Sequence, residues 1–177
     1  MKKIIISLTL IYILFFIIGI VLHSENIFGK IRETALIVEN KNFFYYFAHN
    51  INVLKNSLVG IFSFGIFSIL QLTINGIFLG VGMAEMTANV GWMKSLLFIF
   101  PHGFFEIPAL ILSTMLGIYP VYLFCLLIFK NKNYKWKVVI FKQIKNIFWI
   151  FMIILILIII AALLEAYLTP WLIKNYV

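Results

Sequence analysis

From Ser95 to Phe129 the chain runs for 35 residues with no acid, lysine, arginine or histidine except His102 and Glu106. A stretch this apolar belongs in a bilayer, where every backbone N–H and C=O must be satisfied within the chain, so it is expected to be helical. An acid and an imidazole at that depth are costly, and they are expected to face other helices or a watery cavity and to mark a site. Four residues apart on a helix, His102 and Glu106 share a face. Pro101 removes a backbone donor and Gly103 loosens the chain beside it, which predicts that the helix starts or bends there.

The remainder of the chain agrees. It is 64% hydrophobic and only 11% charged, with a mean hydropathy of +1.10, against roughly 45–50% apolar and about 25% charged for a soluble domain. The expected fold is all-α: one integral membrane domain, a polytopic helical bundle with about five spans. A net charge of +8 does not point to nucleic acid, because the lysines cluster beside apolar runs, where anionic lipid headgroups are the natural counterpart. Cys125, the single cysteine, excludes an internal disulfide and the paired-cysteine metal motifs.

The spans are placed at about 4–22, 57–83, 95–115, 118–129 and 147–168. The first follows Met1-Lys2-Lys3 and is longer than a signal-peptide core, with no small-x-small cleavage site after it, so it is read as retained, its amino end in the cytoplasm. Ile27, Phe28, Ile31, Ala35 and Val38 recur at helical spacing in the mixed segment that follows, predicting an interfacial amphipathic helix. Phe43 to Phe47 are expected at headgroup level. His23 and His49 read as solvated loop histidines, and Glu85 as an interfacial residue closing the second span.

Within that span Gly76 and Gly80 have the small-xxx-small spacing that lets helices approach closely, and Asn75 is placed to hydrogen-bond across the contact. Pro101 and Gly103 are expected to shape packing in the next one. Gly117-Ile118-Tyr119-Pro120 supplies a turn that divides the long apolar run in two. That division puts Lys130, Lys132, Lys135, Lys137, Lys142 and Lys145, with no acid among them, in the cytoplasm. Five spans then leave the carboxyl end outside the cytoplasmic membrane. The basic loop is expected to lie on the inner leaflet or to dock a cytoplasmic partner.

Pro101-His102-Gly103-Phe104-Phe105-Glu106-Ile107-Pro108-Ala109, together with Ala162-Leu163-Leu164-Glu165-Ala166-Tyr167-Leu168-Thr169-Pro170 and Asn75-Gly76 followed by Gly80, resembles the stage II sporulation protein M family. The resemblance runs from roughly Asn50 to Pro170. It implies a small bacterial membrane protein of about five spans that works with other membrane proteins. These would be a cell-wall hydrolase assembly during forespore engulfment, or transporter subunits beside circular bacteriocins, where a hydrophobic peptide is made, exported or resisted. A homo-oligomer is compatible with either setting.

His102, Glu106 and Glu165 are the candidate site, and three readings of them stand open. They form a structural lock that satisfies itself and the backbone freed by Pro101. Alternatively they hold a divalent metal such as zinc, which needs three protein ligands and an open position for catalysis. Or they relay protons. No cofactor is otherwise expected. The chain has no Gly-rich phosphate loop, no HExxH and no aspartate, which excludes two-aspartate intramembrane proteolysis. Ser113 and Thr114 are expected to bond their own backbone.

Overall fold

The computed structural model describes residues 2–24, 42–129 and 136–176, and among these residues the chain is helical with no strand. Helix α1 spans Lys2–Ser24 and α2 Phe43–Val59; a 3₁₀ turn at Gly60–Ser63 leads into α3, Ile66–Val90. Helix α4 is Trp92–Phe129 and α5 Trp136–Leu163; a π turn, Leu164–Leu168, joins α5 to α6, Thr169–Tyr176. Four helical stretches are long and apolar enough to cross a membrane: Lys2–His23, Ile66–Val90, Trp92–Cys125 and Gln143–Tyr176. The protein is therefore a membrane-embedded helical bundle. The amphipathic helix expected over Ile27 to Val38 lies outside the described residues.

The contacts give each helix its direction. Gly76 lies against Tyr12, Gly80 against Phe16, and Glu85 against His23, so α1 and α3 run parallel. The chain reverses at residues 60–65, which sets α2 antiparallel to α3. Gly65 meets Ile118 and Thr114 meets Ser68, so α4 is antiparallel to α3. Tyr119 bonds Gln143 across α4 and α5, and α5 returns toward the end where α4 began. Among the described residues α1 to α5 thus make five passes along the bundle, four of them in stretches long and apolar enough to cross a membrane, and Lys2 and Tyr176 lie toward opposite ends of it.

These five passes are not the five apolar runs. No turn exists at Gly117 to Pro120: α4 continues through it, and through Pro101 and Pro108, as one 38-residue helix. The spans placed at 95–115 and 118–129 are one element. Where no water can take over freed backbone groups, continuing a helix past a proline is cheaper than opening it. Gly117 has a different task. A Cβ there would stand 1.9 Å from Ser68 Oγ and 2.7 Å from the Ser57 carbonyl oxygen. The additional pass is α2, and the run placed at 57–83 is broken at Phe64 and Gly65, both at positive φ.

Packing relies on small residues, because in lipid apolar surface alone does not favour one helix contact over another. At the α2–α3–α4 junction Ser68 Oγ donates to the Ser57 carbonyl at 2.6 Å, and the Ser57 and Thr114 hydroxyls meet at 3.3 Å. All three residues are fully buried. Thr114 therefore bonds across helices rather than only its own, whereas Ser113 donates to Leu110 of its own helix. Ser68→Ala is expected to cost about 1 kcal/mol, read as a lowered denaturation midpoint in mild detergent. Gly60 and Gly117 both press on this hydroxyl, so the alanine leaves no large void.

Candidate functional site

Glu106 is the residue on which the interior polar groups converge. It sits in the middle third of α4, and the helices packed there bring a polar side chain from each side. Tyr12 of α1 and Asn75 of α3 line with it a cavity of about 240 Å³. Asn50 of α2 and Ser113 of α4 line with it a second, much smaller one of about 10 Å³, the size of one water molecule. Glu165 comes from the π turn after α5, and its charge is within Coulombic reach of Glu106.

No described residue donates a hydrogen bond to Glu106 or Glu165, whose carboxylate oxygens are not fully enclosed, while the buried amide nitrogen of Asn50, 3% exposed, has no partner. His102 stands a turn before Glu106 without bonding to it, and its Nδ1 is buried and unpaired. Buried polar groups are ordinarily satisfied, and each exception calls for an explanation. This arrangement is not the self-satisfying lock that spacing alone suggested for His102 and Glu106. Among the described residues no three His, Cys, Asp or Glu side chains come close enough to hold a metal ion, so His102, Glu106 and Glu165 do not form a three-ligand site here.

The π turn follows from the sequence. Pro170 has no N–H to offer a carbonyl one turn earlier, and its ring crowds that carbonyl, so the helix widens just before it. Thr169 Oγ1 bonds the Leu164 carbonyl at 3.4 Å, five residues back. The widening lies on Glu165, and π turns inside helices often fall at functional sites.

Gly76 and Gly80 close the α1–α3 seam, together with Gly19 of α1, whose Cβ would stand 2.2 Å from the Ile77 carbonyl oxygen. Asn75 does not reach across that seam: its amide donates to the Gln71 carbonyl one turn back, at 2.8 Å. Gly103 does not pack on a neighbouring helix. A Cβ there would meet only Ile99 and Ile107 of its own helix, at 3.8 and 4.0 Å, and Gly103 instead forms part of a cavity wall. Pro101 lies inside continuous helix and starts nothing.

Glu85 is not simply interfacial. It is 8% exposed, its carboxylate is 3.5 Å from His23 Nδ1, and it accepts from Asn89 at 3.1 Å. This links the ends of α1 and α3. His49 sits inside α2 and is exposed.

Sequence reasoning missed Tyr12 and Asn50. Tyr12 is the single aromatic hydroxyl within the apolar run of α1, a signal that was present. Asn50 lies in a stretch whose aromatic and polar mixture reads as interfacial, and only the reversal at residues 60–65 carries it inside.

Comparison with known proteins places these residues in a lineage. The family model described as stage II sporulation protein M matches residues 7–170. An uncharacterized protein of Methanocaldococcus jannaschii is 31% identical over 175 residues, covering 96% of each chain. No solved structure matches.

Proposed function

Because this chain belongs to the stage II sporulation protein M family, we propose that it is an integral membrane subunit of a larger assembly in a bacterial cytoplasmic membrane, its amino end inside and its carboxyl end outside. The orientation rests on the distribution of cations. Among the described residues Lys2, Lys3, Lys55, Lys137, Lys142 and Lys145 belong to one end of the bundle. No described acid joins them there, whereas Glu85 belongs to the other end.

The subunit reading is carried by the α4–α5 hairpin. Helix α4 meets the α2–α3 reversal at Ile118 and continues to Phe129, about 16 Å further at ~1.5 Å per residue. Phe124, Ile128, Phe141 and Ile144, all 58% exposed or more, line this extension. An apolar surface standing clear of its own bundle, next to a basic segment, suits a partner protein that offers apolar and acidic groups. In the setting of this family such partners are cell-wall-remodelling proteins or transporter subunits.

Phe141→Glu tests the reading. The chain is expected to accumulate normally in its native membrane, while proteins that co-purify with it in mild detergent fall by about tenfold, a change of about 1.4 kcal/mol. The subunit role is overturned if the unaltered chain, gently extracted, carries no other protein. A second reading, handling of a hydrophobic peptide, draws support from a lipid-facing recess between α1 and α4, and in that case Phe141→Glu leaves activity intact.

A further inference from the structure

Between α1, α3 and α4 lies an apolar recess of about 360 Å³, lined by Ile13, Phe16, Met83 and Phe100 among others. It opens on the lateral face of the bundle, where Ile13, Phe100 and Phe104 are 47%, 61% and 59% exposed. Its inner wall, Tyr12, Leu79, Gly103 and Ile107, is also the wall of the 240 Å³ cavity that holds Glu106 and Asn75. The two are neighbouring compartments, apolar outside and polar within. Their sizes fall at or near the range of small-molecule sites, roughly 300–1,000 Å³.

We propose that this pair of compartments binds a single-chain amphiphile with a protonated amine, its apolar chain in the outer recess and its ammonium group against Glu106, Asn75 and Tyr12. This does not depend on the chain being a subunit of an assembly.

Three observations select that chemistry. First, the inner compartment is rich in acceptors. The Glu106 carboxylate receives no hydrogen bond from the described residues, and Asn75 gives one of its two amide N–H groups to Gln71, with its carbonyl oxygen able to accept. An ammonium group brings three donors and no acceptor, and bonds to an ionised partner are the strong ones. Second, none of the three walls contributes a lysine or arginine: α1 beyond Lys3, α3, and α4 beyond Lys94 contain none, and the imidazole of His102, a turn before Glu106, does not bond it. With no lysine or arginine in the walls to meet the Glu106 carboxylate, a cation from outside is favoured over an anion or a neutral head. Third, Gly103 has no packing reason to be glycine. Alanine or leucine would suit a helix better by close to 1 kcal/mol, and a Cβ would touch no neighbouring helix. What a side chain at 103 would do is fill the space between the compartments.

The test uses the full chain in lipid nanodiscs and a photoactivatable analogue of dodecylamine, with labelled positions mapped by mass spectrometry. Saturable labelling is expected on α1 near Tyr12 and on α4 near Gly103. Unlabelled dodecylamine should compete about tenfold better than dodecanol or dodecanoate. Gly103→Leu and Glu106→Gln should each weaken labelling by about tenfold or more, with thermal stability unchanged or raised, which separates a filled site from a misfolded bundle. If both variants are poorly folded, Gly103→Ala, expected to weaken labelling less than leucine does, carries the test. The proposal is overturned if labelling spreads evenly over the lipid-facing helices, if the alcohol competes as well as the amine, if Gly103→Leu labels like the parent, or if the amino terminus of a hydrophobic peptide labels these positions and dodecylamine does not.

Discussion

Gly80→Leu should prevent the bundle from assembling, whereas Gly82→Leu, two residues further along the same helix, should have almost no effect. A Cβ at Gly80 would lie 2.1 Å from the Phe16 carbonyl oxygen and 3.0 Å from Gly19 Cα. Both are backbone atoms, which cannot swing aside as a side chain does. The whole α1–α3 seam would have to separate, taking with it the close approach at Gly76 and the His23 to Glu85 contact at its end. Overpacking of this kind costs about 3 kcal/mol or more, because neither backbone can yield without parting from the other. Around Gly82 a Cβ meets nothing within 4 Å, and leucine gains the ~1 kcal/mol that a helix withholds from glycine. The measurement is the amount of folded protein recovered in mild detergent and its denaturation midpoint. Equal loss in both variants would mean that glycine content in α3 matters for a reason other than the seam.

Glu106→Leu should make the bundle more stable and leave it inactive. The carboxylate stands inside the bundle, where it lines two cavities, and takes no hydrogen bond from the described residues. Replacing an unsatisfied interior polar group with an apolar one of similar volume is expected to stabilise by about 1–3 kcal/mol. The biological readout, complementation of a strain lacking the chain, should be lost. Stability gained while function is lost is the mark of a group retained for what it binds. A loss of about 3 kcal/mol instead would show that Glu106 is firmly paired in the folded protein, and the polar centre would then be a brace. Glu165→Leu should shift stability the same way by a smaller amount, since Glu165 lies outside the two cavities that Glu106 lines.

The helical class and the membrane setting were legible because apolar run length is decisive in a bilayer. The interior placement of Glu106 was legible because acids are scarce in a run bound for a bilayer. The Gly76 and Gly80 spacing pointed at close packing, but not at its partner. Gly19, which completes the seam, is a lone glycine in an Ile-rich run and carries no spacing signal. Gly117 and Pro120 misled because the same residues that open turns in water can sit inside a membrane helix: glycine there makes room for Ser68, and proline is tolerated where no solvent competes for the backbone. Asn50 was hidden by α2, whose aromatic start reads as an interfacial segment although its middle lies beside Glu106. The link between His102 and Glu106 was a matter of sequence spacing, and sharing a helical face does not make two side chains bond.

At ~1.5 Å per residue the 38 residues of α4 form a rod of about 57 Å, nearly uncharged, in a membrane whose hydrocarbon layer is about 30 Å thick. Hydrophobic mismatch on that scale is too large to ignore energetically, at a fraction of a kcal/mol per ångström. Steep tilt, locally thickened lipid, or protein laid along the excess length must absorb it. The neighbouring helices α1 and α3 are close to bilayer length, so any deformation is one-sided, concentrated around the α4–α5 arm. A protein built this way would sort to membrane regions already thickened or curved, and would itself bend the membrane wherever many copies gather.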